Sequence, residues 1–412
     1  LNKNGRLGFI LPHKFFNAQY GEPLRKVIAD GKHLAEVVHF GDQQVFAGAT
    51  TYTCLLFLDR QGTDQCRFVR VVDLTSWRIT GEAIDDIIPT KSISPDVWNF
   101  STGRNAKLLD RLRHMPVKLD DVVQRIGQGI RTSANEVYVL DRRENNSKSI
   151  TVYSKQLNRE VKVERDAVAP FLQGREIKRY RVLVSSKCVI MPYRVTGKRV
   201  ELMPEKEMQN RFPKALDYLR KNKAYLEARE NGKFRGSDWY AYGRQQNIDL
   251  MLLAKILVPD IADRASFALD ERGEYAFTSG YGITLKNDVA ESPKYILGLL
   301  NSRLLDFCLK SISTTMRGGF FRYFTQFIEQ LPIRRIQISD PDDKARHDKM
   351  VSLVDRMQEL HKRSGVVKNP NEKTQLEREI EATDRQIDQL VYELYGLTEE
   401  DIMFVETDIG PK

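Results

Sequence analysis

Apolar positions along the 412-residue chain alternate between short runs and helical spacing. Residues 6–12, RLGFILP, form a short apolar run ended by Pro12 and predict a buried parallel strand. A helix near Pro23 to Asp30 follows, stopped by Gly31. LAEVVHF, residues 34–40, and TTYTCLLFLDR, residues 50–60, predict two more strands, rich in β-branched and apolar side chains. Strand, helix, strand, loop, strand is how the last part of a doubly wound sheet reads, with its final strand antiparallel to the rest. From about Arg67 to Met115 the chain reads as a connector containing one strand, FVRVVDL. RNAKLLDRLRH, residues 104–114, reads as a short basic helix with Leu108, Leu109 and Leu112 facing inward.

At Val117 the character changes. VKLDDVVQRIGQGIRTSANEVYVL has glycines at 127 and 129, then a β-like run from Glu136 to Leu140. Lys187 to Met191 predicts a strand closed by Pro192, and Met203 to Asn231 a helical stretch. AKILVPDI predicts a strand ended by Pro259. SFALDERGEYAFTSGYGITLK reads as a hairpin turning at Gly273 and running into another strand. Ser292 and Pro293 open a helix, a capping hydroxyl before the position where proline's missing N–H is harmless. Ile296, Leu297, Leu300, Leu304 and Phe307 give that helix one buried face. Gly318 and Gly319 break the chain, and a short second helix ends at Pro332. Beyond it, DKMVSLVDRMQELHKR and TQLEREIEATDRQIDQLVYELYG predict an antiparallel helical hairpin. The fold class expected is α/β and α+β, in segments 1–115, 116–340 and 341–412.

Charge adds to this picture. The formal net charge is +9, which suits a polyanionic partner without demanding one. Basic residues interleave with aromatics in three places. Arg317 and Arg322 flank the glycine pair among Phe320, Phe321, Tyr323 and Phe324. Glycines permit close backbone approach and arginine forks hold phosphate bidentately; the alternative is that Phe320, Phe321 and Phe324 are core. In FLQGREIKRYRV, Arg175, Lys178 and Arg179 suit backbone contact, or else protect a strand edge. In SDWYAYGRQQN, Tyr242 and Arg244 adjoin Gln245 and Gln246, and arginine and glutamine pair bidentately with guanine and adenine in the major groove. Arg131, after the two glycines, is a further DNA-contact candidate. Pro259-Asp260 with Asp270 and Glu271 lacks the acid-x-lysine element of a metal-dependent nuclease, so a hairpin turn is the better reading and no metal is expected. The four cysteines lie far apart, without zinc spacing, and read as reduced, part-buried thiols of a cytoplasmic protein. No run has the length of a membrane span and no signal peptide opens the chain.

YILGLLNSRLLDF, RGGFFRYF and FIEQLPI resemble the closing segment of the TaqI-like C-terminal specificity domain of adenine-specific DNA methyltransferases and type IIG restriction–modification enzymes. The I-K-x-Y phrase, the W-Y-x-x-G-R element and the ending IDQLVYELYGLTEED are similar to that family too. GRLGFILPHKFF, LRKVI and GDQQVF resemble the end of an adenine-specific methyltransferase domain. The resemblance implies that segment 1–115 is the C-terminal part of a doubly wound methyltransferase sheet with its connector. It makes 116–340 a mixed α+β target-recognition domain. It also implies that Phe46 stacks on the flipped adenine, a contact worth ~1–3 kcal/mol.

The family's chemistry further needs a glycine-bearing cofactor loop and an Asn-Pro-Pro-Tyr motif. Neither is in this sequence, which begins at Leu1 in mid-pattern and reads as a fragment with both motifs upstream. S-adenosyl-L-methionine is therefore expected in the full-length enzyme and not in this fragment, which carries no catalytic residue and should not methylate alone. The full-length protein is expected to be a site-specific adenine DNA methyltransferase, with endonuclease activity left open. The partners expected are double-stranded DNA and the upstream half of the same chain, with no membrane and a monomeric state. The alternatives are a non-enzymatic specificity subunit guiding a separate methyltransferase, and an RNA-binding or assembly scaffold. The methyltransferase-like start, Arg6 to Arg60, argues against the subunit.

Overall fold

A computed structural model describes residues 1–49, 51–95, 98, 100, 103–145, 148–316 and 318–407. The first sheet is built from β1 (Arg6–Pro12), β2 (Leu34–His39), β3 (Thr53–Asp59), β4 (Gln65–Arg70) and β5 (Ile84–Pro89), with α1 (Glu22–Asp30) between β1 and β2 and α2 (Leu74–Thr80) before β5. Its order is β1-β3-β2-β4-β5. The antiparallel last strand appears as expected, with β3 inserted between β1 and β2. Two expectations need correction. β1 is an edge strand with Leu7, Phe9 and Ile10 exposed, not a buried one, because an apolar run does not reveal its neighbours. The strand expected in the connector is β4, but it joins the first sheet parallel to β2, and a second strand, β5, pairs antiparallel with it. Val37, Cys54, Leu56 and Phe68 bury against Phe15, Phe16 and Trp98. α3 (Gly103–Arg113) turns Leu108, Leu109 and Leu112 inward as expected, into the core of the later helices.

The middle of the chain runs through α4 (Leu119–Val122), β6 (Val123–Gln128), α5 (Asn135–Tyr138), β7 (Val139–Asn145), β8 (Ser149–Ser154), β9 (Arg159–Glu164), β10 (Val168–Gln173) and β11 (Lys187–Ile190). The β-like run expected from Glu136 opens instead as the helical turn α5. A ribbon of β12 (Tyr193–Thr196) and β13 (Arg199–Leu202) leads to α6 (Glu205–Arg211), α7 (Pro213–Lys221) and α8 (Lys223–Gly232). Next come β14 (Lys255–Pro259), β15 (Ile261–Ala262), β16 (Ala268–Asp270), β17 (Ala276–Thr278) and β18 (Gly280–Leu285). The predicted hairpin at Gly273 is a crossing between sheets. β16 pairs with β14, whereas β17 pairs parallel with β10. Gly273 has the positive φ (68°) that reverses the chain, but turn chemistry does not choose the strands' partners. A buried ion pair fastens this crossing: Lys255 Nζ donates to Asp270 at 2.5 Å and to the carbonyls of Met251 and Leu253, and Asp270 also accepts from the amides of Glu274 and Tyr275.

The single helix expected after Ser292 is two helices, α9 (Pro293–Asn301) and α10 (Arg303–Ile312). Ser292 caps the first as predicted. Ser302 takes an extended backbone (ψ 155°) and caps the second through Leu305 N, so the apolar spacing continues while the backbone breaks. β19 (Thr315–Met316), β20 (Phe320–Arg322) and α11 (Thr325–Ile328) follow. The expected helical hairpin is α12 (Pro341–Val366) and α13 (Pro370–Leu394), followed by α14 (Glu399–Thr407). It lies on α9 and α10 in one continuous apolar core. Gly298 makes that approach possible: a Cβ there would stand 2.4 Å from Met350 Sδ. The four cysteines are free and buried, and burial pushes each thiol up to about 12. Among the described residues no helix is long and apolar enough to cross a membrane.

Candidate nucleic-acid interface

β6 ends at Gln128, and the chain then bends tightly under β17 and β18. Gly129 N donates to Gly280 O, and a Cβ on Gly129 would lie 2.4 Å from Phe277 O, so only glycine fits. The bend lays Arg131 beside Arg244. Arg244 N donates to Arg131 O and Gly243 N to Thr132 O, both at 3.0 Å. Both arginine side chains are exposed, as are Gln245 and Gln246. Arg131 donates to Gln128 Oε1 at 3.0 Å, and Gln128 Nε2 reaches the Tyr281 hydroxyl at 3.2 Å. Asn247 holds Gln128 from behind through its backbone carbonyl.

Arg322 enters the same neighbourhood from β20. Its guanidinium lies 4.8 Å over the Phe324 ring, and Phe324 packs against Tyr281. Burial raises the Tyr281 phenol, which the Gln128 hydrogen bond opposes; Asp260 raises it further, and the charges of Arg131 and Arg322 both lower it. Two guanidiniums from segments almost 200 residues apart therefore act on one hydroxyl. Gln128, Tyr281 and Glu230 are the members of this patch that the sequence reading missed. Gln128 had one visible signal, its place between two glycines that must pack tightly.

Underneath, the surface is stiff. The buried Arg229 guanidinium donates to the carbonyls of Leu226, Thr132, Trp239 and Ala241 at 2.8–2.9 Å. The next two residues, Glu230 and Asn231, take left-handed backbone angles (φ 46° and 59°). For non-glycine residues this costs about 1–3 kcal/mol each, and it persists only where surrounding contacts impose it. The result is a Glu230 carboxylate 3.1 Å from Arg244 Nη1 and 3.3 Å from Ser133 Oγ.

The remaining predicted residues divide. Phe46 is exposed on a firmly held loop. Gln43 bonds Val71 O and Leu74 N, His39 Nδ1 accepts from Gly41 N, and Arg78 reaches Val45 O, leaving the ring outward. Arg175 and Lys178 are exposed on the turn after β10, where Gly174 abuts Ser279. Two candidates are corrected. Arg179 is only 12% exposed and pairs with Asp384 and the Asn301 carbonyl, tying β10's turn to the helical hairpin. Tyr242 is buried, with its hydroxyl donating to Ile190 O at 2.5 Å, and serves the core. Arg317 lies outside the described residues. Of the three phenylalanines, Phe321 is core, Phe324 is half-buried and Phe320 is exposed. Asp270 is engaged by Lys255, and no metal-holding cluster occurs among the described residues. Asn17 Nδ2 reaches Ser313 O at 3.4 Å, joining the Phe46 unit to the segment that carries Arg322.

Comparison with known proteins agrees with the resemblance read from the sequence. Residues 169–333 match the TaqI-like C-terminal specificity domain, and residues 1–46 match the Eco57I restriction-modification methylase. The chain is 28% identical over 423 aligned positions to the type II restriction enzyme and methyltransferase RM.Eco57I of Escherichia coli, covering 96% of this chain and 41% of that protein. It is 23% identical to the type II methyltransferase M.PaeR7I of Pseudomonas aeruginosa, covering 81% of this chain and 56% of that one. It thus spans about half the length of these curated relatives. The solved structure of the type IIL restriction-modification enzyme MmeI in complex with DNA shares the fold, with a TM-score of 0.59 at 12% identity over 99% of this chain and 50% of that one.

Proposed function

From a chain that places an Eco57I-type methylase segment ahead of a TaqI-like C-terminal specificity domain, we propose that the patch around Arg131, Arg244 and Arg322 is where a site-specific adenine DNA methyltransferase selects its target in double-stranded DNA. The observation that carries this is the convergence of the exposed Arg131 and Arg244, the half-buried Arg322 and two exposed glutamines on a hydrogen-bonded floor. Arg131, Arg175, Lys178 and Arg322 suit phosphate contacts that set register. Arg244, Gln245 and Gln246 suit base edges in the major groove. Phe46, outward on a pinned loop, offers an apolar plane to an unstacked adenine.

Methyl transfer itself would belong to an upstream half of the same polypeptide, which would pair along the exposed β1 edge. S-adenosyl-L-methionine finds no G-x-G loop in segment 1–46, so no step through it is assigned to this chain's residues. A monomer working in the cytoplasm suits four free buried thiols and a DNA partner. A separate specificity subunit is the lesser reading, since Phe46 and the recognition patch share one chain.

The test is fluorescence anisotropy of a labelled random-sequence duplex against this chain over a salt series. Log K should fall linearly with log salt, and R131A/R322A should bind more weakly with a slope flatter by about 1.8, near 0.9 per lost phosphate contact. A salt-independent affinity, or tighter binding to RNA of equal length, would remove the proposal.

A further inference from the structure

Glu230 stands where a DNA-binding surface ought to avoid a carboxylate. It lies among Arg244 at 3.1 Å, Lys233 at 3.6 Å and Ser133 at 3.3 Å. A phosphate binding Arg244 comes to lie beside this negative charge. Nor is the position accidental in the fold. Two consecutive left-handed residues aim the carboxylate, and the buried Arg229 clamps the backbone that precedes them. On the far side, a Cβ at Gly243 would lie 1.8 Å from Ser133 Oγ, so the backbone leading into Arg244 passes close against Ser133. Among the described residues Arg131, whose backbone is bridged to that of Arg244, forms no ion pair with an acid; its guanidinium donates to the neutral Gln128 amide.

We propose that Glu230 is a specificity-determining residue that keeps Arg244 from binding phosphate indiscriminately. Arg131 is the unscreened cation of the pair and meets the DNA backbone. Arg244 is a screened one, and exchanges its carboxylate only for an acceptor pair of matching geometry, the fork of oxygen and nitrogen on a guanine edge. A phosphate brings a full negative charge beside Glu230, which disfavours that contact, whereas the guanine edge is neutral. This inference rests on the proposed DNA-recognition role and names the device by which the patch rejects wrong contacts.

Glu230→Gln tests it, because the amide keeps the shape and the Ser133 contact while removing the charge. With a random-sequence duplex as probe, E230Q should bind several-fold more tightly than the parent chain, with a log K against log salt slope steeper by about 0.9, one added phosphate contact. In the R244A background the same substitution should change the slope by nothing measurable. Selection from a randomised duplex pool should enrich a guanine position with the parent chain and lose that enrichment in E230Q. Unchanged or weaker binding by E230Q overturns the inference, as does a gain that persists without Arg244, since that would be a long-range charge effect. A parent chain that binds no duplex at all would instead bring down the DNA-recognition reading, and this inference with it.

Discussion

Replacing Asp270 by asparagine should unfold the recognition half of the molecule at a much lower temperature. Lys255 has no exposed side-chain surface and Asp270 only 2%. Three acceptors hold the ammonium: Asp270 at 2.5 Å, Met251 O at 3.0 Å and Leu253 O at 3.1 Å. Burial pulls the lysine pKa down and Asp270 pulls it up. Without the carboxylate, the lysine must stay charged without a counter-ion or lose its proton. Breaking a buried pair by removing one partner costs about 3–5 kcal/mol. For a cooperative unit of roughly 150–250 residues, each kcal/mol lowers Tm by about 2–4 °C, so D270N should melt ~6–20 °C below the parent. Circular dichroism melts and urea titrations measure this. The double variant K255M/D270N removes both charges while keeping an acceptor oxygen beside the Glu274 and Tyr275 amides, and should recover part of the loss, because no uncompensated buried charge remains. A D270N loss below about 1 kcal/mol would refute the reasoning, as would a double variant no better than the single.

Further outcomes are expected. Y242F should lose about 1 kcal/mol of stability by orphaning the Ile190 carbonyl, with duplex affinity at low temperature unchanged; weakened binding by a fully folded Y242F would restore Tyr242 as a contact. In the enzyme with its upstream half, F46A should reduce the 2-aminopurine signal of an unstacked target base while leaving Arg-dependent binding intact, and an unaltered signal would make Phe46 a surface residue only. Acid should loosen the first sheet. Burial, then the charges of His13 and Arg70, hold His39 down to about 3, against an ordinary value near 6.5. The unfolded chain therefore binds a proton that the folded one refuses, so this stability is complete above pH 6.5 and is lost as pH falls from 6.5 towards 3. H39Q should narrow the difference between urea midpoints at pH 7 and pH 5; an unchanged difference would place the acid sensitivity elsewhere.

Local chemistry was legible in the residues alone. Ser292 before Pro293, the leucines of α3, the antiparallel β3 and the two long C-terminal helices were all predicted, because caps, helical spacing and β-branched runs act within a few residues of where they are written. The family resemblance was legible too, in the order of its phrases. Partners across long separations were not. β1's exposed edge, the Gly273 crossing between two sheets and the helix break at Ser302 depend on which surfaces meet. The same held at the site. Arg179 and Arg131 look alike as text, yet Asp384, more than 200 positions along, takes one of them, and the Arg244 backbone presents the other. Charge and aromatic content were compatible with a polyanionic partner without demanding one; only the folded backbone decided which cations remained outside, because burial and pairing are settled by neighbours that the local sequence does not contain.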